Sequence, residues 1–579
     1  MREGAPVVYS PRMENLEELL TERLAHAMEA ATGHPADPAL RRSAHADFQA
    51  DGALALARQL GRPPREIAAA ILARSTLDDL VSSAEISGPG FVNLTIRDDV
   101  LAGRAGQLAA DPRLGVPEVA DPGVIVVDYS GPNVAKEMHV GHLRSTVLGD
   151  AAARVLGWLG HTVIRINHLG DWGTPFGMLI EHMMEIGEAE ASHTLSAGDL
   201  SAFYQAARAA FDSDPDFAAR SRARVVALQN GDPQTLRLWA QLGAESRKYF
   251  MTVYRQLGVL LADADFQGES RYNGDLAGVV SALDGLGLLT ESDGALCAFP
   301  AGFAGRDGEP LPLIVRKSDG GFGYPATDLA ALRSRVDGLG AGRLLYFVGA
   351  PQRQHFEMVF QVAREAGWLG GASPEHIAFG SVLGTDGKML KTRAGGTVKL
   401  TELLTEAVTR AEAAIGGRGV PDPAAVARAV GIGAVKYADL STDRIKDYVF
   451  DWDRMLSFDG NTAPYLQYAN ARIQSILRTA GGAPENGTVV LTNPAERALA
   501  LELTGFGAVV TRAGETLEFH GLATYLFGLA SLFSKFYETS TVLVEDRAVR
   551  GSRLTLCAAT ARTLITGLGL LGIEAPERM

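Results

Sequence analysis

Apolar positions recur at spacings of three and four through residues 13–29, with Leu16, Leu19, Leu20, Leu24 and Met28 on one face, which predicts an amphipathic helix. Helical pattern continues through residue 72, and Phe91-Val92-Asn93-Leu94-Thr95-Ile96 then alternates as a strand does. Residues 111–123 are proline-rich and lose the periodicity, which marks a linker. Beyond it, apolar runs at 124–127, 162–166, 344–348 and 377–382 alternate with helical pattern. That order predicts an α/β doubly wound parallel sheet, whose ligand crevice lies at the carboxyl ends of its strands. Residues of about 190–260 are helical and charged, as an insertion would be, and from about 453 the pattern is almost purely helical. Residues 522–537 carry the apolar spacing of a buried bundle helix. Three domains are therefore expected: α+β over 1–115, α/β over 120–455 and an all-α helix bundle over 456–579. No internal repeat or low-complexity tract interrupts them.

Composition narrows the class. A chain of 579 residues has room for about three or four domains. Its two cysteines, Cys297 and Cys557, suit a reducing compartment and cannot form a CxxC zinc site. No apolar run approaches the roughly 18 to 20 residues of a membrane span, and the first residues lack a signal-peptide pattern. A cytoplasmic, monomeric chain with no zinc and no membrane contact is expected. The net charge of −14 opposes a polyanionic partner, but affinity depends on local patches. Arginines cluster at Arg220, Arg222 and Arg224 and again at Arg472 and Arg478, which predicts a basic stripe on an acidic body.

Two segments carry candidate chemistry. After the run at 124–127 comes the punctuated stretch Asp128-Tyr129-Ser130-Gly131-Pro132-Asn133, and a helical pattern starts at Met138, through Leu143, Val147, Leu148, Ala152, Val155 and Leu156. His139-Val140-Gly141-His142 thus sits in the first turn of a helix, where unpaired amides and a partial positive charge favour an anion. Gly141 leaves no side chain between the imidazoles, so a phosphate or an adenine can lie against the backbone. Alone, ordinary surface histidines explain this better. About 250 residues later stands Gly384-Thr385-Asp386-Gly387-Lys388-Met389-Leu390-Lys391-Thr392-Arg393-Ala394-Gly395-Gly396, a glycine-flanked loop with three cations. A solvated basic tip is the bland explanation. Against it, the chain prefers arginine, and its few lysines include Lys136, Lys388, Lys391 and Lys399. A compact ammonium in a glycine loop suits a point-charge phosphate contact.

Together these segments resemble the two signatures of class I aminoacyl-tRNA synthetases, and their flanks are similar to the arginyl-tRNA synthetase family. The flanks are Gly131-Pro132-Asn133-Val134-Ala135-Lys136, His168-Leu169-Gly170-Asp171-Trp172-Gly173-Thr174, Gly268-Glu269-Ser270, Gly349-Ala350-Pro351-Gln352-Arg353-Gln354-His355-Phe356, Thr397-Val398-Lys399-Leu400 and Ala463-Pro464-Tyr465-Leu466-Gln467-Tyr468-Ala469, with the ending Pro576-Glu577-Arg578-Met579. The likeness covers nearly the whole chain. It implies a Rossmann-like catalytic domain, an N-terminal domain that contacts the tRNA elbow and a C-terminal anticodon-binding domain. The implied activity joins L-arginine to ATP as arginyl-adenylate and transfers it to tRNA(Arg), with Mg2+ carried on the ATP. Activation that waits for bound tRNA is also implied.

The resemblance also implies roles for residues. His139, Gly141, His142, Lys388, Met389 and Lys391 bind ATP; His139, His142, Lys388, Lys391 and Lys136 are catalytic. Asn133, His142, Glu269, Tyr324, Asp328 and Gln352 line the arginine pocket, the first and last of them with His142 near the amino-acid backbone, and Tyr324 with Asp328 near the guanidinium. Taken alone, Asp328 reads better as a helix N-cap or first-turn acid and Glu269 as a turn carboxylate. Tyr465 and Tyr468, expected just before a helix carrying Arg472, lie with Met579 near the anticodon loop, although aromatics at spacing three fit a core equally well. Departures from the family pattern are Gly131, Pro175, Asp51 and Asn470. Gly131 removes a hydroxyl near the amino acid, so Ser130 or backbone amides must compensate, and Asp51 adds negative charge where tRNA approaches. Two rivals remain: a small nucleotidylyltransferase, opposed by the long helical C-terminus, and a non-catalytic tRNA-binding paralogue, opposed by two intact signatures.

Overall fold

Five parallel strands form the central sheet of the computed structural model, which describes residues 15–188, 190–191, 200–305, 307–391, 398–416, 420–482, 484 and 487–579. Their spatial order is Ser373–His376, Arg343–Tyr346, Val124–Asp128, Thr162–Leu169 and Phe266–Gly268. The first strand in sequence therefore lies centrally, beside the fourth, and the crevice opens where the winding reverses. Val124–Asp128 reads as an apolar run up to Val127 because both its faces are covered: Val127 joins one hydrophobic core and Val126 the other. The helix Val140–Trp158 follows the central strand and is buried along most of its length.

The fifth strand is not at 377–382. Ser373–His376 takes that place, zipped to its neighbour partly by Arg343 and Glu375, 2.6 Å apart. Ile377, Ala378 and Phe379 are apolar because they are buried after leaving the sheet. Val382–Leu383 pairs instead, in parallel, with Tyr448–Val449 as a separate two-stranded stalk. An antiparallel meander, Thr290–Ser292, Ala295–Ala298 and Leu313–Arg316, was also outside the periodicity reading, its strands being only three or four residues long.

Between Thr162–Leu169 and Phe266–Gly268 the chain runs through the helices Leu200–Ser213, Pro215–Gln229 and Pro233–Leu257. Arg220 and Arg224 do not form a free basic stripe there. Both engage Glu181, Arg220 at 2.8 Å and Arg224 at 3.3 Å, and Arg222 lies over the ring of Phe211. The N-terminal domain packs Leu16–Thr32, Gly52–Leu60 and Pro64–Leu72 with a four-stranded antiparallel sheet. Its strands Leu40–Arg42 and Phe48–Ala50 occupy a region read as helical throughout. The C-terminal helices Ala463–Ala480, Pro494–Leu503, Phe506–Thr516, Phe519–Thr539 and Arg547–Leu570 form the bundle. Arg497 on one of them reaches Asp47, Asp98 and the Ile96 carbonyl, each at 2.7 Å, and so ties the bundle to the N-terminal domain.

Candidate active site

His139 caps the helix Val140–Trp158, and the two imidazoles consume amides that were expected to face an anion. His139 Nδ1 accepts from Gly141 N and His142 Nδ1 accepts from His139 N, both at 3.1 Å. A neutral imidazole accepting at Nδ1 carries its proton on Nε2. Both rings thus present an N–H edge in place of the amides they cover. Burial, followed by the charge of its neighbour His139, pushes His142 down to about 4, and burial with Lys136 nearby lowers His139 as well. The pair therefore offers neutral donors, not cations, at pH 7. The ring centroids stand 4.1 Å apart. A Cβ on Gly141 would lie 2.8 Å from His139 Cε1, so glycine is needed for the rings to sit this way.

The loop bearing Lys388 and Lys391 is anchored at both roots. At the near root, Gly384 N donates to Lys388 O at 2.7 Å and Leu390 N to Val382 O at 3.1 Å, above the stalk. At the far root, His139 pairs in antiparallel fashion with Lys399, while Val140 N donates to Val398 O at 3.1 Å and Leu400 N to Met138 O at 2.9 Å. The chain leaving the lysine loop is thus hydrogen-bonded to the histidine segment itself. Thr392, Gly395, Gly396 and Thr397 lie outside the described residues. Lys388, Met389 and Lys391 are exposed and line a cavity of about 890 Å³ with Arg410, Trp452, Asp451 and Asp453, which neither histidine lines. Lys136 holds its ammonium 4.4 Å above the ring of Tyr204 in the insertion.

Strand ends supply the second cluster. Asn133 bridges to Gly170 at the end of Thr162–Leu169, and Glu269 follows Phe266–Gly268. Asp171 holds that turn by accepting from Ser270 N and Oγ at 2.9 and 2.7 Å. A Cβ on Gly268 would come within 1.9 Å of the Asp171 carboxylate, so only glycine allows this approach. Asp328 is neither a cap nor a first-turn acid: it lies inside the helix Tyr324–Arg333, one turn beyond Tyr324, and meets His355 Nε2 at 2.6 Å. Burial, then repulsion from Asp328 and Asp171, raises the Glu269 carboxyl to about 8. Glu269 itself and Asp328 follow burial in raising the Tyr324 phenol. Tyr324 is 70 % exposed, and Gln352 is exposed just ahead of the helix Arg353–Glu365. The arrangement suits a group carrying positive charge and planar donors. Asp171 and His355 lie in the family-like stretches without an expected role; the signals that could have found them are the place of Asp171 just after a strand end and of His355 in the turn that follows Gln352.

Ser130 does not compensate for Gly131. Its hydroxyl is buried against Tyr254 Oη at 2.7 Å and Thr146 Oγ1 at 2.9 Å. Asp51 is paired with Arg41 at 2.9 Å, Asn470 donates to the Pro576 carbonyl at 3.0 Å, and Pro175 sits in the first turn of Thr174–Ile186, where proline is tolerated. Tyr465 and Tyr468 lie inside the helix Ala463–Ala480 with Arg472, not before it. They diverge. Tyr465 packs on Phe527 at 5.6 Å, whereas Tyr468 lines a groove with Arg472, Arg478, Arg578 and Met579. Arg472 there rests over the Tyr468 and Tyr537 rings, and Arg478 donates to the Glu577 carbonyl.

Known proteins share this architecture. Residues 107–452 match the family of class I (R) tRNA synthetase catalytic domains, 466–579 the DALR anticodon-binding domain and 14–96 the arginyl-tRNA synthetase N-terminal domain. An arginine–tRNA ligase of Thermobifida fusca is 56 % identical over 98 % of this chain and all of that protein, and one of Cellvibrio japonicus is 49 % identical over the same shares. The crystal structure of arginyl-tRNA synthetase from Plasmodium falciparum superposes with a TM-score of 0.84 at 27 % identity, covering 98 % of this chain and all of that one. That of Thermus thermophilus gives 0.81 at 28 %, covering 97 % of this chain and all of that one. With both signatures tied to one another and carboxylates gathered at the neighbouring strand ends, the chain belongs to the arginyl-tRNA synthetase family of class I synthetases.

Proposed function

We propose that the two clusters divide the work of an arginine–tRNA ligase between them. The arginine carboxylate attacks the α-phosphorus of ATP in line, the bond to the β-phosphate breaks and pyrophosphate leaves. The terminal ribose hydroxyl of tRNA(Arg) then attacks the new mixed anhydride and AMP leaves. No covalent enzyme intermediate is required, so positioning and charge stabilisation do the catalysis. The Nε2–H edges of His139 and His142 donate to phosphate oxygens and Gly141 lets ATP lie against the backbone. Lys388 and Lys391 swing in from their exposed position as charge builds on pyrophosphate, Met389 moving with them, and Lys136 adds charge at the mouth. Mg2+ enters as part of the substrate.

Glu269 and Asp328 receive the guanidinium, with Tyr324 over it, and Asn133, His142 and Gln352 hold the amino and carboxyl groups. Tyr468 and Met579 receive the anticodon loop in their arginine-rich groove, while Tyr465 supports that helix from behind. The protein works as a cytoplasmic monomer. No helix among the described residues is long and apolar enough to cross a membrane.

The observation that carries this reading is the backbone pairing of 398–400 with 138–140, which returns the lysine loop to the histidines. Lys391→Ala tests it: arginine-dependent ATP–pyrophosphate exchange with tRNA present should fall about 10²–10³-fold. Exchange at the native rate would refute the role.

A further inference from the structure

Arg144 lies two residues beyond His142 on the helix Val140–Trp158, hence on a different face, and is only 1 % exposed. Its guanidinium donates from Nε to Asp439 Oδ1 at 3.2 Å and from Nη1 to the Lys446 carbonyl at 2.8 Å. The rings of Tyr448 and Phe379 lie 5.3 and 6.0 Å away. Of these partners Tyr448 belongs to the stalk under the lysine loop, and Phe379 and Lys446 stand just ahead of its two strands. Tyr448 pairs with Val382, and Gly380 N donates to Arg444 O at 2.9 Å. Ser381 N donates to Asp447 Oδ1 at 2.5 Å, and Phe450 N to Leu383 O at 2.8 Å. Asp439, fully buried, lies in the last turn of the helix Pro423–Leu440, just before that segment. One side chain therefore joins the helix that carries both imidazoles to the support on which the two ammonium groups are mounted.

Packing alone does not need a charge here. A buried ion pair is costly to desolvate, and apolar residues of similar volume often replace one without loss of stability. What an apolar residue cannot do is donate to the Lys446 carbonyl and so fix the stalk at one distance. We infer that Arg144 is a positioning residue for adenylate formation, setting the separation of the histidine pair and the lysine loop without touching ATP. The inference rests on reading both signatures as the ATP site.

The test pairs Arg144→Met with Asp439→Leu, so that no charge is left buried alone. The double variant should melt near the native temperature and keep the native KM for arginine, because Glu269 and Asp328 are not mounted on the stalk. Its kcat for exchange should fall about 10²-fold, the cost of a reacting group misplaced by about 1 Å. A native kcat in the double variant overturns the inference. Should the double variant fail to fold, Arg144→Lys decides: it keeps the charge balance but loses the planar fork. A kcat about tenfold down, with arginine KM and melting unchanged, supports the inference, and a native kcat overturns it. Lys391→Ala measured alongside separates the two levels. If Lys391→Ala is slow while the Arg144 variants are native, only the positioning role fails; if Lys391→Ala is also native, the reading of the ATP site fails with it.

Discussion

Arginine binding should release a proton from Glu269. In the arginine-free protein its carboxyl sits at about 8, held there by burial first and then by Asp328 and Asp171. A guanidinium needs the carboxylate, so below that value each pH unit costs about 1.4 kcal/mol, or tenfold in affinity. The dissociation constant for arginine should therefore rise about tenfold from pH 7 to pH 6 and change less than about twofold from pH 8 to pH 9. Calorimetry in buffers of different ionisation enthalpy should show close to one proton released per arginine at pH 6.5. Glu269→Gln should abolish both the pH dependence and the release, and at pH 9 should bind about 10²-fold more weakly, as the loss of one partner of a buried charge pair costs roughly 2–5 kcal/mol. The sign for stability follows from the same group. Native protein binds this proton more tightly than unfolded protein does. Its contribution is complete below the ordinary value of 4.5 and is lost as pH rises towards about 8. Arginine opposes that loss, so the rise in Tm it produces should grow with pH across the same window. An arginine affinity that is flat between pH 6 and 8, with heats independent of buffer, would refute the reasoning.

Other expectations follow from single contacts. His355→Ala leaves Asp328 without its 2.6 Å partner and should weaken arginine binding about tenfold, as loss of a charge-assisted hydrogen bond does, with ATP affinity unchanged by calorimetry. Gly141→Ala places a methyl group 2.8 Å from His139 Cε1 and should slow pyrophosphate exchange about 10²-fold while the melting temperature stays near native. Arg497→Met releases Asp47 and Asp98 and should cost about 3 kcal/mol in urea unfolding, with amide exchange accelerating first in the N-terminal domain. Removal of Glu577, Arg578 and Met579 dismantles one wall of the Tyr468 groove and should raise KM for tRNA while ATP binding is unaffected, as measured by aminoacylation and calorimetry.

The sequence was most legible where burial and periodicity agree. Val124–Asp128, the helix after it and Phe519–Thr539 are long or doubly covered, and pattern alone located them. It misled where a buried run is not a strand, as at Ile377 to Phe379, and where strands are too short to show alternation, as at Leu40–Arg42. For the site, residue type announced the histidines and lysines but not their geometry. That the imidazoles would cap their own helix depends on side-chain rotamers, which spacing does not encode. Glu269 and Asp328 looked like local turn and cap residues because the partners that give them meaning, Asp171 and His355, are distant in sequence. Arg220 and Arg224 looked like a nucleic-acid patch because Glu181, which neutralises them, lies some forty residues earlier.

The stalk made by Val382–Leu383 and Tyr448–Val449 also dictates when the lysine loop is held in place during synthesis. Its two halves are separated by the entire helical pair Leu400–Ile415 and Pro423–Leu440. A nascent chain that has emerged from the ribosome only as far as residue 440 already displays every histidine and lysine of both signatures and still has no mount for the second. Because such a non-local pairing closes late, the lysine loop gains its support only once the segment leading into the C-terminal bundle is in place.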